Sequence, residues 1–351
     1  MVSQIKPARC GAAVALGLAV FAGCSRDASL SSGDVALGAV DTLVPAGSTE
    51  LVHPAEIAMA GGILYVVDLG ASAIIALDTS GVVLRRIGRP GSGPGEFQGP
   101  RDLFVDRDSL RLVDQGNGRI QVFATNGSFM RALPAPDALG GDVSFRVDGT
   151  GLVARNGFDS TLARRLDANG IARARLGRPV KAIPQQVNFA ELKSQVMRGL
   201  VPDALRNLTL PALGPDGSCW LILHAEGTVE HYSPADSLVW RVTLHEPEFG
   251  RIRAKFFSDN RADSAANLLF ILSYVTTARV VGQELWILVR QPSDAATLIL
   301  VLSRAGVVRR RLRIPGAHGV RGFALDSALR SLYLLAYDDA AILRVRLPRS
   351  P

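Results

Sequence analysis

Six times along the chain a short apolar run returns: Leu64–Asp68, Leu110–Asp114, Gly151–Ala154, Cys219–Leu223, Leu285–Val289 and Leu332–Ala336. In five of the six units a second run and an acceptor-rich turn follow, as in Ile74–Gly81, Ile120–Gly127, Leu162–Gly170, Val229–Ser237 and Leu298–Gly306. A basic strand then closes each of these units: Val82–Ile87, Phe129–Leu133, Ile171–Leu176, Leu238–Leu244 and Val307–Ile314. Short β-rich runs bounded by Gly, Asn and Asp turns at even spacing predict antiparallel, all-β structure.

One four-stranded sheet cannot bury both of its faces, so units of about 40 to 50 residues need flanking neighbours, and six of them close into a ring. The expected fold is therefore a six-bladed β-propeller of four-stranded antiparallel blades. The sixth unit stops after three strands, near Leu347, while an extra strand, Val35–Val44, precedes the first. That strand is expected to become the outer strand of the last blade, which removes the free sheet edges. With 351 residues, 48% of them hydrophobic, the chain can build such a core, and disorder and disulfide-stapled miniproteins are excluded. The expected organisation is a leader over 1–23, a flexible leash over 24–34 and the propeller over 35–351.

The stretch Gly93-Pro94-Gly95-Glu96-Phe97-Gln98-Gly99-Pro100-Arg101-Asp102-Leu103-Phe104-Val105-Asp106 closely resembles an NHL repeat. The likeness continues through Leu112-Val113-Asp114, Asn117, Arg119–Phe123 and Gly127, and His53 to Gly81 is a looser copy. It covers two blades, and blades three to five lack the Pro and the Asp. The resemblance implies a propeller that meets its ligands at the central channel. Gly91–Gly95 lacks the Lys and following helix of a phosphate loop and reads as an interblade linker.

Lys6 and Arg9 followed by the apolar run Gly11–Ala22 form an export leader, too short to span a bilayer. It ends in Val20-Phe21-Ala22-Gly23-Cys24, which resembles the lipobox of bacterial lipoproteins. The resemblance implies lipidation of Cys24, a membrane anchor and a cell-envelope address, on the periplasmic side of the outer membrane in a Gram-negative cell. Cys10 leaves with the leader and Cys24 is consumed by lipid, so Cys219 alone remains, expected as a buried, inert thiol. The net charge of +7, two of it in the leader, is too diffuse to name nucleic acid as a partner, and a monomer is expected.

Aligning the first strands sets Glu56 with Asp102 and Arg101 with Arg321 at a channel rim shared by blades six, one and two. These four are the candidate ligand-binding rim for an envelope protein, peptide or glycan; the alternative is that the charges simply pair with one another. Blades three to five offer Val143, Ser144, Pro211, Ala212, Thr277 and Ala278 there, all neutral, which makes the expected mouth lopsided. Two insertions, at about 181–207 and 246–271, fall between blades on the same face. Asn188 is placed to cap a helix through Phe189, Leu192, Val196 and Leu200, and a second helix is expected around Ser264–Phe270. Together they could cover the channel or dock a partner, or they could simply decorate blade edges.

No catalytic residue is assigned. The five histidines, His53, His224, His231, His245 and His318, show no zinc spacing, although His53 and His318 both precede first strands. A metal-dependent hydrolase or lyase using the channel is the second reading. It would resemble lactonase or peptidyl-hydroxyglycine lyase propellers and require calcium or zinc; Glu56 and Asp102 are a fragment of the carboxylate and amide set that lactonases place around calcium. Asp68 and Asp114 are expected to accept turn amides, with Arg119 bracing the second turn, and the basic outer-strand runs Arg85-Arg86 and Arg309–Arg311 are expected to discourage edge pairing.

Overall fold

The computed structural model describes residues 25–28, 33–106, 109–134, 145–148, 151–155, 161–167, 171–181, 188–263, 268–326, 328 and 330–348. Cys24 and the leader lie outside the described residues, as do Val143 and Ser144. The described strands form six antiparallel four-stranded units. Blade one runs Pro54–Ala60, Ile63–Asp68, Ala73–Leu77 and Val83–Ile87; blade two runs Pro100–Asp106, Ser109–Asp114, Arg119–Ala124 and Phe129–Pro134. Blade three is Phe145–Asp148, Gly151–Arg155, Ala163–Leu166 and Ala172–Leu176, and blade four is Thr209–Leu213, Cys219–Leu223, Thr228–Tyr232 and Leu238–Leu244. Blade five comprises Val275–Val281, Glu284–Val289, Thr297–Leu302 and Val308–Ile314. Val320–Leu325, Ser331–Ala336 and Ala341–Arg346 make blade six, and Val40–Val44 completes it, antiparallel to Ala341–Arg346.

The innermost strands adjoin in the order six, one, two, three, four, five and back to six, which closes the ring. The core lies between blades rather than within one. Ile57, Val66, Leu77 and Leu335 fill the gap between blades six and one; Tyr65, Ile74, Leu112 and Phe123 fill that between one and two. In blades one, two, four, five and six the alternating faces of the second strand thus serve two neighbouring interfaces, so its residues are buried on both sides and read as continuous apolar runs.

The expected strand over Val35–Val44 is in fact two strands on two blades. Asp34–Ala36 adds a fifth, parallel strand to the outer edge of blade five, and the chain passes through Leu37–Ala39 before Val40–Val44 joins blade six. Ser25–Ala28 likewise lies parallel to Leu238–Leu244 on the outside of blade four. The amino-terminal segment therefore touches three successive blades at their perimeter.

Three helices sit in the insertions: α1 (Phe189–Met197), α2 (Asp203–Arg206) and α3 (Pro247–Ala262). Asn188 caps α1 by accepting a hydrogen bond from the Glu191 amide at 3.2 Å. The face of α1 that packs is Lys193 and Val196, while Phe189 and Leu200 remain more than half exposed. The second helix is not at Ser264–Phe270: residues 264–267 lie outside the described residues, and 268–270 are not helical. It starts earlier, with Pro247 in the first turn, and buries Phe249, Phe256 and Asn260 on one face. Asn260 then pins the backbone of Phe270, donating to its carbonyl at 3.2 Å and accepting from its amide at 3.1 Å.

Both insertions join the hydrophobic cluster of blades four and five, through Val196, Leu205, Phe249 and Phe256. The start of α3 is also clamped electrostatically. Arg311 on the outer strand of blade five, only 6% exposed, donates to Asp34 at 2.7 Å and to Glu248 at 3.2 Å, and pairs with Glu246. Arg313 bonds the same Asp34 and Glu248, at 2.8 and 2.9 Å. The basic run Arg309–Arg311, expected to be a solvated edge, is at Arg311, together with Arg313 beyond it, a junction between the amino-terminal strand, α3 and blade five.

Candidate channel mouth

At one end of the ring the backbone departs from regular pleating in the same way four times. The innermost strands of blades one, two, five and six each carry one extra residue near their start, between Pro54 and Glu56, Pro100 and Leu103, Val275 and Thr277, and Val320 and Gly322. A bulge re-aims the side chain it carries and is favoured at barrel rims and sites. Just outward, the residue after each second strand bonds back across the entry to the first: Leu69 to His53, Gln115 to Gly99, His224 to Leu208, Arg290 to Tyr274 and Tyr337 to Gly319. Five blades thereby present equivalent positions around one mouth.

The bulges carry Arg101 in blade two and Arg321 in blade six, both exposed, and Thr276 in blade five. Arg321 lies over the Tyr337 ring, 4.8 Å from its centroid, and its Nη2 is 3.6 Å from Asp338 Oδ1. The Tyr337 hydroxyl is in turn 2.5 Å from His53 Nε2, which links blade six to blade one at the rim. Asp102 is half-buried beside Arg101, and His318 is exposed at the entry to blade six.

Glu56 faces a different neighbourhood from the open rim. It is 8% exposed, and its Oε1 accepts from Arg279 Nη2 at 2.6 Å. Arg279 comes from the innermost strand of blade five and lies across blade six, donating through Nε to the Phe323 carbonyl at 2.7 Å and also to the Ile57 carbonyl. Blade six has Gly322 at the position that matches Glu56 and Asp102 in register, so no side chain stands between the two ions. The sequence alignment passes over Arg279 because the pairing spans three blades.

Arg290 is the second residue that the alignment passes over. It follows the second strand of blade five, where the rim reading placed only neutral side chains, and among the described residues it has no acidic partner. Arg290 keeps solvent exposure at the rim although protein crowds around it. Burial, with added repulsion from Arg321, holds its guanidinium below the ordinary arginine value. Blade five counts in the register one residue earlier than the alignment had it, so Thr276 and Thr277 occupy the rim positions rather than Thr277 and Ala278.

The remaining histidines are engaged or remote. His224 Nδ1 is 2.7 Å from Ser273 Oγ, whose hydrogen goes to the Val275 carbonyl at 2.7 Å, so Nδ1 is the donor. His231 is buried between Trp220 and Trp240, with ring centroids 4.3 and 5.4 Å away, and burial lowers its pKa. Cys219 is a buried free thiol. Among the described residues no three His, Cys, Asp or Glu gather in a group that could hold a metal ion.

The turn acids behave as expected. Asp68 accepts from the amides of Val52, His53 and Ala71 at 2.6 to 3.0 Å. Asp114 accepts from the Gln98 amide at 2.7 Å and from Asn117, Arg119 and Gln121 at 2.8 to 3.0 Å. In the linker, Glu96 fills the concavity that a phosphate would need, accepting from the Gly93 amide at 2.8 Å and from Arg89 at 2.8 Å.

The fold and this mouth define the class: a six-bladed β-propeller with a decorated channel entrance. A family model, DUF5128, described as a 6-bladed beta-propeller, matches residues 42–148. No curated protein matches the chain. A Bacteroides fragilis NCTC 9343 protein inferred to be exported is similar in structure at a TM-score of 0.54 and 13% identity, over 89% of this chain and 95% of that one. Virginiamycin B lyase from Staphylococcus aureus gives a TM-score of 0.51 at 11% identity, over 88% and 100% of the two chains. U3-55K gives 0.52 at 10% identity, over 88% and 98%. Likeness at these identities is one of fold.

Proposed function

We propose that this protein is a binding module of the cell envelope, held to a membrane by lipid on Cys24, which receives a protein, peptide or glycan partner at the bulged end of its channel. The observation that carries the reading is the repeated bulge in four innermost strands, which sets Arg101 and Arg321 outward at one mouth. Function commonly sits on irregular segments carried by a rigid scaffold, and the ring of blades is such a scaffold. The course of the amino-terminal segment supports the same reading. Its described strands, Ser25–Ala28, Asp34–Ala36 and Val40–Val44, lie on the perimeter of blades four, five and six, so a tether at residue 24 would leave from the outer edge and keep the mouth open.

Photo-crosslinking side chains installed at position 101 or 321, and at Ser80 or Asn126 in the turns at the opposite ends of blades one and two, test this in envelope preparations. Adducts from the mouth positions and none from the turns support it. Adducts confined to the turns overturn it.

A further inference from the structure

We infer that the ligand of this mouth is anionic: Arg290, Arg321 and Arg101 are placed to bind carboxylate or phosphate groups, an inference that rests on the mouth being the binding site. Three observations lead there. Arg290 stands at the blade-five entry, its amide bonded to the Tyr274 carbonyl, and Arg321 stands in the bulge of the adjoining blade six, so two like charges share one sector of the rim, an arrangement that an anion seated between them relieves. Arg290 and Arg101 have no acidic partner among the described residues, so their donors are available. The wall carboxylate Glu56 is committed to Arg279, which removes it as an internal competitor.

Arginine suits this task. Its planar fork presents paired N–H donors that match a carboxylate or phosphate edge, and it stays charged even where burial lowers its pKa. Arg321 is held in place by stacking on Tyr337, whose hydroxyl is fixed by His53, so part of its ordering entropy is spent before a ligand arrives. Asp338 offsets Arg321 only in part, being half-exposed and 3.6 Å away. Next to Arg290, Gln291 keeps Nε2 buried with no acceptor among the described residues.

The test is calorimetric titration of the full chain in detergent with citrate and, separately, inorganic pyrophosphate. The wild type is expected to bind at least one of them, less tightly as salt is raised. Arg290→Gln and Arg321→Gln should each weaken binding at least tenfold, Arg290→Lys should keep part of it, and Arg309→Gln, an exposed arginine of the outer strand of blade five, should leave it unchanged. The tighter of the two probes distinguishes a carboxylate from a phosphate ligand. Absence of binding by the wild type, or equal binding by folded Arg290→Gln, overturns the inference. Crosslinks from position 101 would then still stand for the mouth as the binding site, so the two failures are separable.

Discussion

Arg279 Nη2 and Glu56 Oε1 lie 2.6 Å apart, and this single ion pair joins the innermost strand of blade five to that of blade one across blade six. Both side chains are largely buried, at 19% and 10% exposure. Desolvating two ions offsets much of their attraction, so the pair matters less for net stability than for what its loss leaves behind.

Arg279→Ala is therefore expected to destabilise the protein by about 3 to 5 kcal/mol, because Glu56 remains buried without its cation. The double variant Arg279→Met with Glu56→Leu should recover most of that. Urea unfolding of the single and double variants checks it, and equal losses in both would show that the ring does not depend on charge satisfaction here.

His231 gives a pH dependence with a definite sign. Burial lowers its folded pKa below its unfolded value, so the stability associated with neutral His231 is complete above about pH 6.5 and declines as pH falls below it. His231→Phe should flatten that decline below about pH 6.5. It should also gain about 1 kcal/mol at neutral pH, since neither ring nitrogen has a partner among the described residues. Fluorescence of the adjoining Trp220 and Trp240 reports the transition.

Asp34 acts in a lower range. Hydrogen bonds from Arg311 first, then Arg313, hold its pKa below the ordinary aspartate value. Its contribution is thus present above about pH 4 and is lost as pH falls through the folded value. Asp34→Asn should remove this acid-range dependence and raise hydrogen exchange at Asp34–Leu37 while leaving blades one to three unchanged.

Gly88 tests the interblade linker. Its φ is +85°, and a Cβ there would overlap the ring of Phe97, which is buried between blades one and two. Gly88→Ala should cost about 2 kcal/mol or more, combining left-handed backbone strain with displacement of Phe97. Thermal unfolding measures it.

The ring was legible in the sequence because its second strands are buried on both faces and so stand out as apolar runs between turns. Closure was legible for a similar reason: a unit one strand short at the end matches a spare strand at the start. Where that spare strand divides was not, since Gly38 and its neighbours pass between two blades and nothing local marks the crossing. The helix at Pro247–Ala262 is thinly apolar, its buried face reduced to Phe249 and Phe256 among charged residues, although Pro247 and Glu248 carried its start signal. At the mouth, Arg101 and Arg321 follow from alignment of the first strands. Arg279 and Arg290 do not, because their roles depend on which blades become neighbours and on how far a side chain reaches across a blade.

The most direct measurement is arginine footprinting with a phenylglyoxal reagent in the presence and absence of envelope extract. Arg101, Arg290 and Arg321 are expected to react in the isolated protein and to be protected together by extract, while Arg309 is modified equally in both. Protection of Arg309 with the three mouth arginines left fully reactive would contradict a binding site at the channel mouth.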